Sequence, residues 1–440
     1  MILEIRVLPP LAIARLGAAP TPMDNYDATV DRHRPLSYRT LRPAETFEVD
    51  PDSGEISRVF VPGSVVFTQD GVVRPVAPFL EVWVLTDDGR LQPLTTALLT
   101  DAGASEANLR WRVQVANRKV VRRTGDEADS VDADTGDITD HARHPLVGIS
   151  QNFWPGKSIP LGSVQVIRPT AEHPEIRLRF TPGPGFVYGA SATQPAAGPP
   201  ADPNLRDVVY DAGRGRWLGH TDSGWESTVP GVIYASDAQG ASRGYLDDTC
   251  DGLVRVTLTI EDRTLAAFGR VGAGPPAYAP DGLPIRSVAD ELEQALFGPD
   301  VSAAEASLER VEEIVRRAFE TVRLMHTPSM NTGGMAAHDA ALGRRRDPIM
   351  ARALVDTQAL QELHESLLVA LRSGAAPWFG DVLRDYDEIG DLSDRGRRKM
   401  PAMMRGADGR HLALTRRQVA LIRTLVRGPV FPDDGQETPL

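Results

Sequence analysis

Short runs of alternating apolar and polar residues dominate the first two thirds of the chain. Residues 80–85 (Leu-Glu-Val-Trp-Val-Leu), 111–115 (Trp-Arg-Val-Gln-Val), 176–180 (Ile-Arg-Leu-Arg-Phe) and 253–260 (Leu-Val-Arg-Val-Thr-Leu-Thr-Ile) are the clearest. Alternation sends successive side chains to opposite faces, as a half-buried strand requires, and Gly, Pro, Asp and Asn clusters between the runs supply turns. The N-terminus moves directly into the same pattern over residues 2–7. A β-sandwich-like region over residues 1–285 is therefore expected. Two segments break the pattern and read as surface loops: the acidic stretch 126–140 and the Ala/Gly/Pro-rich stretch 190–204.

After the turns at Gly274-Pro-Pro276 and Pro280-Asp-Gly282 the period changes to that of helices. Residues 287–297 predict a short helix and 302–324 a longer one, with Ser302 as N-cap and Glu305 completing a capping box. Leu308, Val311, Val315, Phe319 and Val322 then recur at spacings of three and four, an apolar stripe along one face. Further helices are expected over 348–371 and 415–426, and 428–440 reads as an acidic, proline-containing tail. The fold class is thus α+β: a β-rich scaffold over 1–285, a helical domain over 286–427, then the tail.

Composition narrows the function classes. The 440 residues carry a net charge of -12, which repels a phosphate backbone over most of the surface and predicts no general nucleic-acid partner. No apolar run approaches the roughly 18 residues needed to cross a bilayer, so no membrane partner is expected. Residues 1–7 lack the pattern of a secretion signal, and the single cysteine, Cys250, cannot close an intrachain disulfide; both fit a reducing cytoplasm.

Five irregular motifs then follow one another in the β-rich part: Pro9-Pro-Leu-Ala-Ile-Ala-Arg-Leu-Gly17, Trp111-Arg-Val-Gln-Val-Ala-Asn-Arg-Lys119, Ile159-Pro-Leu-Gly162, Tyr245-Leu-Asp-Asp-Thr-Cys-Asp-Gly-Leu-Val254 and Gly274-Pro-Pro-Ala-Tyr-Ala-Pro280. The helical part adds Lys399-Met-Pro401, Gly406, Asp408, Gly409 and Leu412-Ala-Leu-Thr-Arg-Arg-Gln418. In this order the series resembles the family of quinone-containing amino-acid oxidases that includes lysine ε-oxidase and glycine oxidase. The resemblance implies an amino-acid-oxidase-like scaffold and a small amino acid or amine as ligand. That family builds a cysteine tryptophylquinone in a later part of its chain. No matched motif here carries the corresponding cysteine, so no quinone is expected and the family's catalytic residues are not carried over.

The residues themselves offer several candidate sites. Cys250 lies among Asp247, Asp248 and Asp251, which disfavour a thiolate, so it reads as a small buried side chain rather than a nucleophile. The same carboxylates read as acceptors of turn N–H bonds. The acidic run 126–140 has oxygen ligands suited to calcium but not EF-hand spacing, and reads as a solvated loop. His326, His338 and His364 could hold a transition metal, although no compact ligand motif joins them.

The segment Met325-His-Thr-Pro-Ser-Met-Asn-Thr-Gly-Gly-Met335 places His326, Ser329 and Asn331 among three methionines, either core filler or a substrate pocket at the junction of the two parts. These three are the candidate catalytic residues. Arg344 and Arg398, in basic spots of an acidic protein, are candidate substrate-binding residues for a carboxylate or phosphate. No nucleotide loop and no G-x-S-x-G elbow occurs. Two readings follow: an amino-acid- or amine-modifying protein without the quinone, in a specialised biosynthetic pathway, or a non-catalytic partner for another enzyme or a carrier- or peptide-bound amino acid.

Overall fold

The computed structural model describes residues 1–29, 40–70, 72–185, 187–191, 208–215, 246–274, 285–322, 358–385, 388, 399–400 and 414–427. Two sheets organise the β-rich part. The first runs in the order Ile2–Leu8, Phe79–Thr86, Arg177–Pro182, Ile159–Ile167, His144–Gly148, all antiparallel, with Leu91–Pro93 also pairing with Phe79–Thr86. The second runs Val131–Asp134, Leu109–Asn117, Cys250–Ile260, Arg263–Gly274, Leu11–Arg15; only its last pair is parallel. The alternating runs read from the sequence fall in these strands, except that Ile176 precedes Arg177–Pro182.

The alternation fixes which side chains face inward. Leu80, Val82, Val84, Leu161, Leu178 and Phe180 of the first sheet are fully buried, as are Trp111, Val113, Val254, Val256 and Leu258 of the second, and all belong to one apolar cluster. The sheets come so close at Gly269 that a Cβ there would lie 2.8 Å from Val7 Cγ1 and 3.1 Å from Leu80 Cδ2. A larger residue there would force Val7 and Leu80 to shift.

Both margins are joined. On one side Asp132 N–H donates to Ile149 O at 2.9 Å and Ile149 N–H to Asp132 O at 3.0 Å, linking the edge of the second sheet to the chain leaving the first. On the other, the chain passes from Ile2–Leu8 through Pro9 and Pro10 into Leu11–Arg15 of the second sheet, and Arg270 N–H donates to Pro10 O at 2.9 Å.

The acidic stretch 126–140 is not the solvated loop its composition suggests. Val131 and Ala133 alternate inward, so Val131–Asp134 adds to the second sheet in register Gln114↔Asp134 and Asn117↔Val131. Before it, Asp126 caps a single 3₁₀ turn, Glu127–Asp129. Most of the stretch 190–204 lies outside the described residues.

Helix Val288–Phe297 starts from a capping box in which Ser287 Oγ accepts from Asp290 N–H at 3.3 Å and Asp290 Oδ2 accepts from Ser287 N–H at 2.6 Å. The next helix is Leu308–Val322. It begins later than the box at Ser302 predicts: Glu305 does accept from Ser302 N–H at 2.9 Å, but this closes a separate turn, and Ser307 starts the helix by accepting from Arg310 N–H at 3.4 Å. Helix Gln358–Arg372 covers the described part of the expected 348–371 segment, and Arg416–Arg427 follows a second reciprocal cap between Thr415 and Gln418.

Buried apolar residues of these helices, among them Val311, Ile314, Leu368, Leu421 and Ile422, join the same cluster as the sheets. The fold is therefore mixed α+β and sheet-rich. Among the described residues no helix is long and apolar enough to cross a membrane.

Candidate functional site

Two polar constructions stand out against the apolar core. The first is the acidic turn that opens strand Cys250–Ile260. Asp247 Oδ2 pairs with Lys119 Nζ at 2.6 Å, its Oδ1 accepts from Thr249 Oγ1 at 2.7 Å, and its backbone oxygen accepts from Asn117 Nδ2 at 2.6 Å. Asp248, completely buried, accepts from Gly185 N–H through both oxygens at 3.0 and 2.9 Å. Nearby, buried Asp129 accepts from Asn152 Nδ2 at 2.8 Å, from Thr124 Oγ1 and from the Tyr210 hydroxyl. These carboxylates pin chain segments together with bonds from fixed donors. Among the described residues no group of three or more His, Cys, Asp or Glu is arranged to hold a metal.

Cys250 lies inside this turn with its Sγ donating to Leu161 O at 3.4 Å. Burial pushes its thiol far above the ordinary value, and Asp248, Asp251 and Asp247 add to the shift, so the thiolate is not populated near neutrality. Trp111, on the adjacent strand, sits opposite Val256, which is six positions from Cys250 and so roughly 20 Å away along a strand.

The second construction is a charged junction where helix Val288–Phe297 meets Arg416–Arg427. Arg317 and Asp290, both buried, form a two-bond fork at 2.9 and 3.0 Å. Arg417, also buried, reaches Glu293 at 3.1 Å, the Asp300 carbonyl at 2.7 Å, the Gly298 carbonyl at 3.3 Å and Glu305. Glu293 is shared with Arg310.

Burial alone would raise Asp290 and Glu293, but the guanidinium bonds outweigh it and hold both below the ordinary carboxylate range. Glu305 is lowered to about 2, chiefly by the Ser302 amide and hydroxyl and then by Arg417. Carboxylates shifted this way stay ionised; they hold charge and do not shuttle protons.

Two cavities open at this junction. One of about 100 Å³ runs among Asp290, Glu293, Arg310, Glu313 and Arg317. A wider cleft of about 350 Å³ is lined by Arg286, Glu291, Gln294, Thr415 and Arg416. Both signs of charge line it, with an amide and a hydroxyl between.

The sequence-predicted residues His326, Ser329, Asn331, His338, Arg344 and Arg398 lie outside the described residues. His364 falls on helix Gln358–Arg372, and its side chain is likewise outside the description. Sequence reasoning missed Arg286, Glu291, Arg416 and Arg417. One signal was present: the motif ending at Gln418 supplies Thr415, Arg416 and Arg417 to the junction.

No family model matches the chain, and no curated protein does. Among solved structures, the Schiff base intermediate of L-lysine ε-oxidase from Marinomonas mediterranea with L-lysine aligns over 96% of this chain and 61% of its own, at 15% identity and a TM-score of 0.35. Another structure of the same oxidase gives 14% identity, the same TM-score, and 96% and 60% coverage. The chain spans about three fifths of the length of these structures' chains.

Proposed function

We propose that the protein binds a small amino acid or amine, free or carrier- or peptide-bound, in the cleft between Arg286 and Arg416, and modifies it on an amino-acid-oxidase-like scaffold without a quinone. The supporting observation is the mixed lining of that cleft. Arg286 is already paired with Glu291 Oε1 across the cleft; the Arg416 guanidinium presents a planar fork suited to a carboxylate, and the second oxygen of Glu291 offers an acceptor for an ammonium group. The volume of about 350 Å³ lies within the range of small-molecule sites. In this reading the β-rich region 1–285 is the scaffold and 286–427 the recognition part. His326, Ser329 and Asn331 supply the groups that act on the ligand, and Arg344 and Arg398 add carboxylate contacts.

Calorimetric titration with glycine, lysine and matched amines lacking the carboxylate tests the cleft. Arg416→Ala is expected to weaken the carboxylate-bearing ligands about tenfold, the worth of a charge-assisted pair, while sparing the amines. Equal affinity of variant and native protein for glycine removes the cleft from the reading. His326→Ala and Asn331→Ala are expected to abolish turnover while the fold and ligand affinity persist; unchanged turnover rejects that assignment.

A second reading, a partner for another enzyme or a carrier domain, is favoured by one observation. Val288, Leu292, Leu296 and Phe297 are 76, 58, 75 and 68% exposed along one side of helix Val288–Phe297. Apolar stripes of this kind mark association surfaces. Co-purification lost on Leu292→Ser with Leu296→Ser supports this reading, and a chain that turns over amino acids alone rejects it.

A further inference from the structure

The outward face of the second sheet carries a feature that neither the core nor the cleft explains. Strand register places Arg112 directly opposite Arg255, and Arg255 opposite Phe268. The next outward row runs Gln114, Leu253, Arg270, Leu11 across four strands, and the row on the other side begins Arg110, Thr257, Ala266. Arg110, Arg112, Arg255 and Arg270 are all exposed. Phe268 and Leu11 are 61 and 53% exposed between and beside them.

Among the described residues, Arg112 alone of the four arginines is paired, to Asp134 at 2.6 Å. Among the described residues no carboxylate pairs with Arg110, Arg255 or Arg270. Asp132, opposite Ala116, and Asp251, opposite Gly272, are the further acidic groups on the strands of this face. Four arginines against three aspartates leave the face one charge positive on a chain of net charge -12, and Asp132 and Asp251 share the row beyond Arg270, so the excess lies on the rows of Arg110, Arg255 and Arg270.

Its arrangement works against stability. Like charges directly opposite in a sheet repel, and an exposed phenylalanine leaves apolar surface in water. None of Arg110, Arg255, Arg270, Phe268 and Leu11 belongs to the apolar core cluster. A surface that carries such a cost needs an anionic, partly apolar counterpart to offset it.

We propose that this face docks an acidic segment of a partner protein, its carboxylates taken by Arg255 and Arg270 and an apolar residue laid against Phe268 and Leu11. The proposal shares no residue with the amino-acid cleft and stands or falls separately from it. Charge complementarity selects the partner. Adjacent strands lie about 5 Å apart, so the arginine rows match carboxylates on a short extended or helical segment. A long phosphate backbone would meet the repulsion of the rest of the surface.

The test uses a fluorescein-labelled peptide of six glutamates around a Leu-Phe pair, read by anisotropy at low ionic strength against the full chain. The native protein is expected to bind it saturably, with affinity falling as salt is added. R255E with R270E is expected to lose about tenfold or more, and Phe268→Ser several-fold. Because R255E gives Arg112 an opposite charge as neighbour, the double variant should melt no lower than the native chain. If it does, Arg255→Gln with Arg270→Gln provides the comparison. Equal binding by native and variant protein overturns the proposal, as does no saturable binding. So does tighter binding of a single-stranded oligonucleotide of equal charge, or of anionic phospholipid vesicles, with loss in the same variants.

Discussion

The two sheets and the helices beside them are held by different forces. Between the sheets the contacts are apolar: Trp111, Val113, Leu80 and Phe180 are buried against one another without a charge among them. At the helix junction ion pairs are added to the apolar contacts: Arg317 with Asp290, Arg417 with Glu293 and Glu305, Arg423 with Asp385, Arg372 with Glu312. Apolar burial responds little to pH or salt, whereas ion pairs respond to both. One region is set by composition alone; the other can be loosened by its surroundings.

The largest effect should come from the sheets. Trp111→Ala removes a fully buried indole from the centre of the second sheet and is expected to cost about 4 kcal/mol in a denaturant melt. A loss under half of that would show that the sheets collapse around the gap.

At the junction, Asp290→Asn leaves Arg317 buried without its counter-ion, an expected loss of about 3 kcal/mol. Replacing both partners, with Asp290→Leu and Arg317→Met, should recover most of it. The pH dependence follows from the sign of the shift. Asp290 is held below its ordinary value in the folded chain, so its contribution is complete above the ordinary carboxylate pKa. It declines as pH falls from there and is gone once pH passes below the lowered folded value. Acid melts monitored at the helices should show this limb, and Asp290→Asn should flatten it. A limb unchanged in the variant would assign the acid sensitivity elsewhere.

Cys250 makes a smaller test of the sheet region. Its thiol should resist iodoacetamide until the chain unfolds, and Cys250→Ala should cost about 1 kcal/mol, the loss of a small buried group. Rapid alkylation of the native protein would contradict the burial. The smallest effect belongs to the exposed pair Arg112–Asp134: the Asp134 carboxyl is lowered to about 2 by the Arg112 fork, yet water screens the pair. Asp134→Asn should therefore change stability by only about 0.5 kcal/mol, vanishing at high salt.

The same contrast explains what could be read from the sequence. Strands of the two sheets were legible because burial of one face writes a period of two into the residues. Cys250 was legible as a buried residue because the acidic neighbours that argue against a thiolate are local. The stretch 126–140 misled because seven acidic residues masked the inward pair Val131 and Ala133. The longer helix was placed to start at Ser302 because that box is present; Ser307, a competing cap five residues on, sets the actual start.

Of the junction only the motif ending at Gln418 was legible, and its pairing was not. An arginine reads the same whether solvated or buried, and Arg417 meets Glu293 and Glu305 only through the tertiary fold. The candidate residues around His326 lie outside the described structure, so the sequence remains the ground for them.

The joined margins of the two sheets have a mechanical consequence. Opening the layers like the covers of a book would require a free edge to serve as the fore-edge. One margin is crossed by the backbone bonds between Asp132 and Ile149, and the other by the covalent chain through Pro9 and Pro10. The structure is closer to a sewn sleeve: a pull that separates the layers must tear the stitching on one side while the cloth on the other holds.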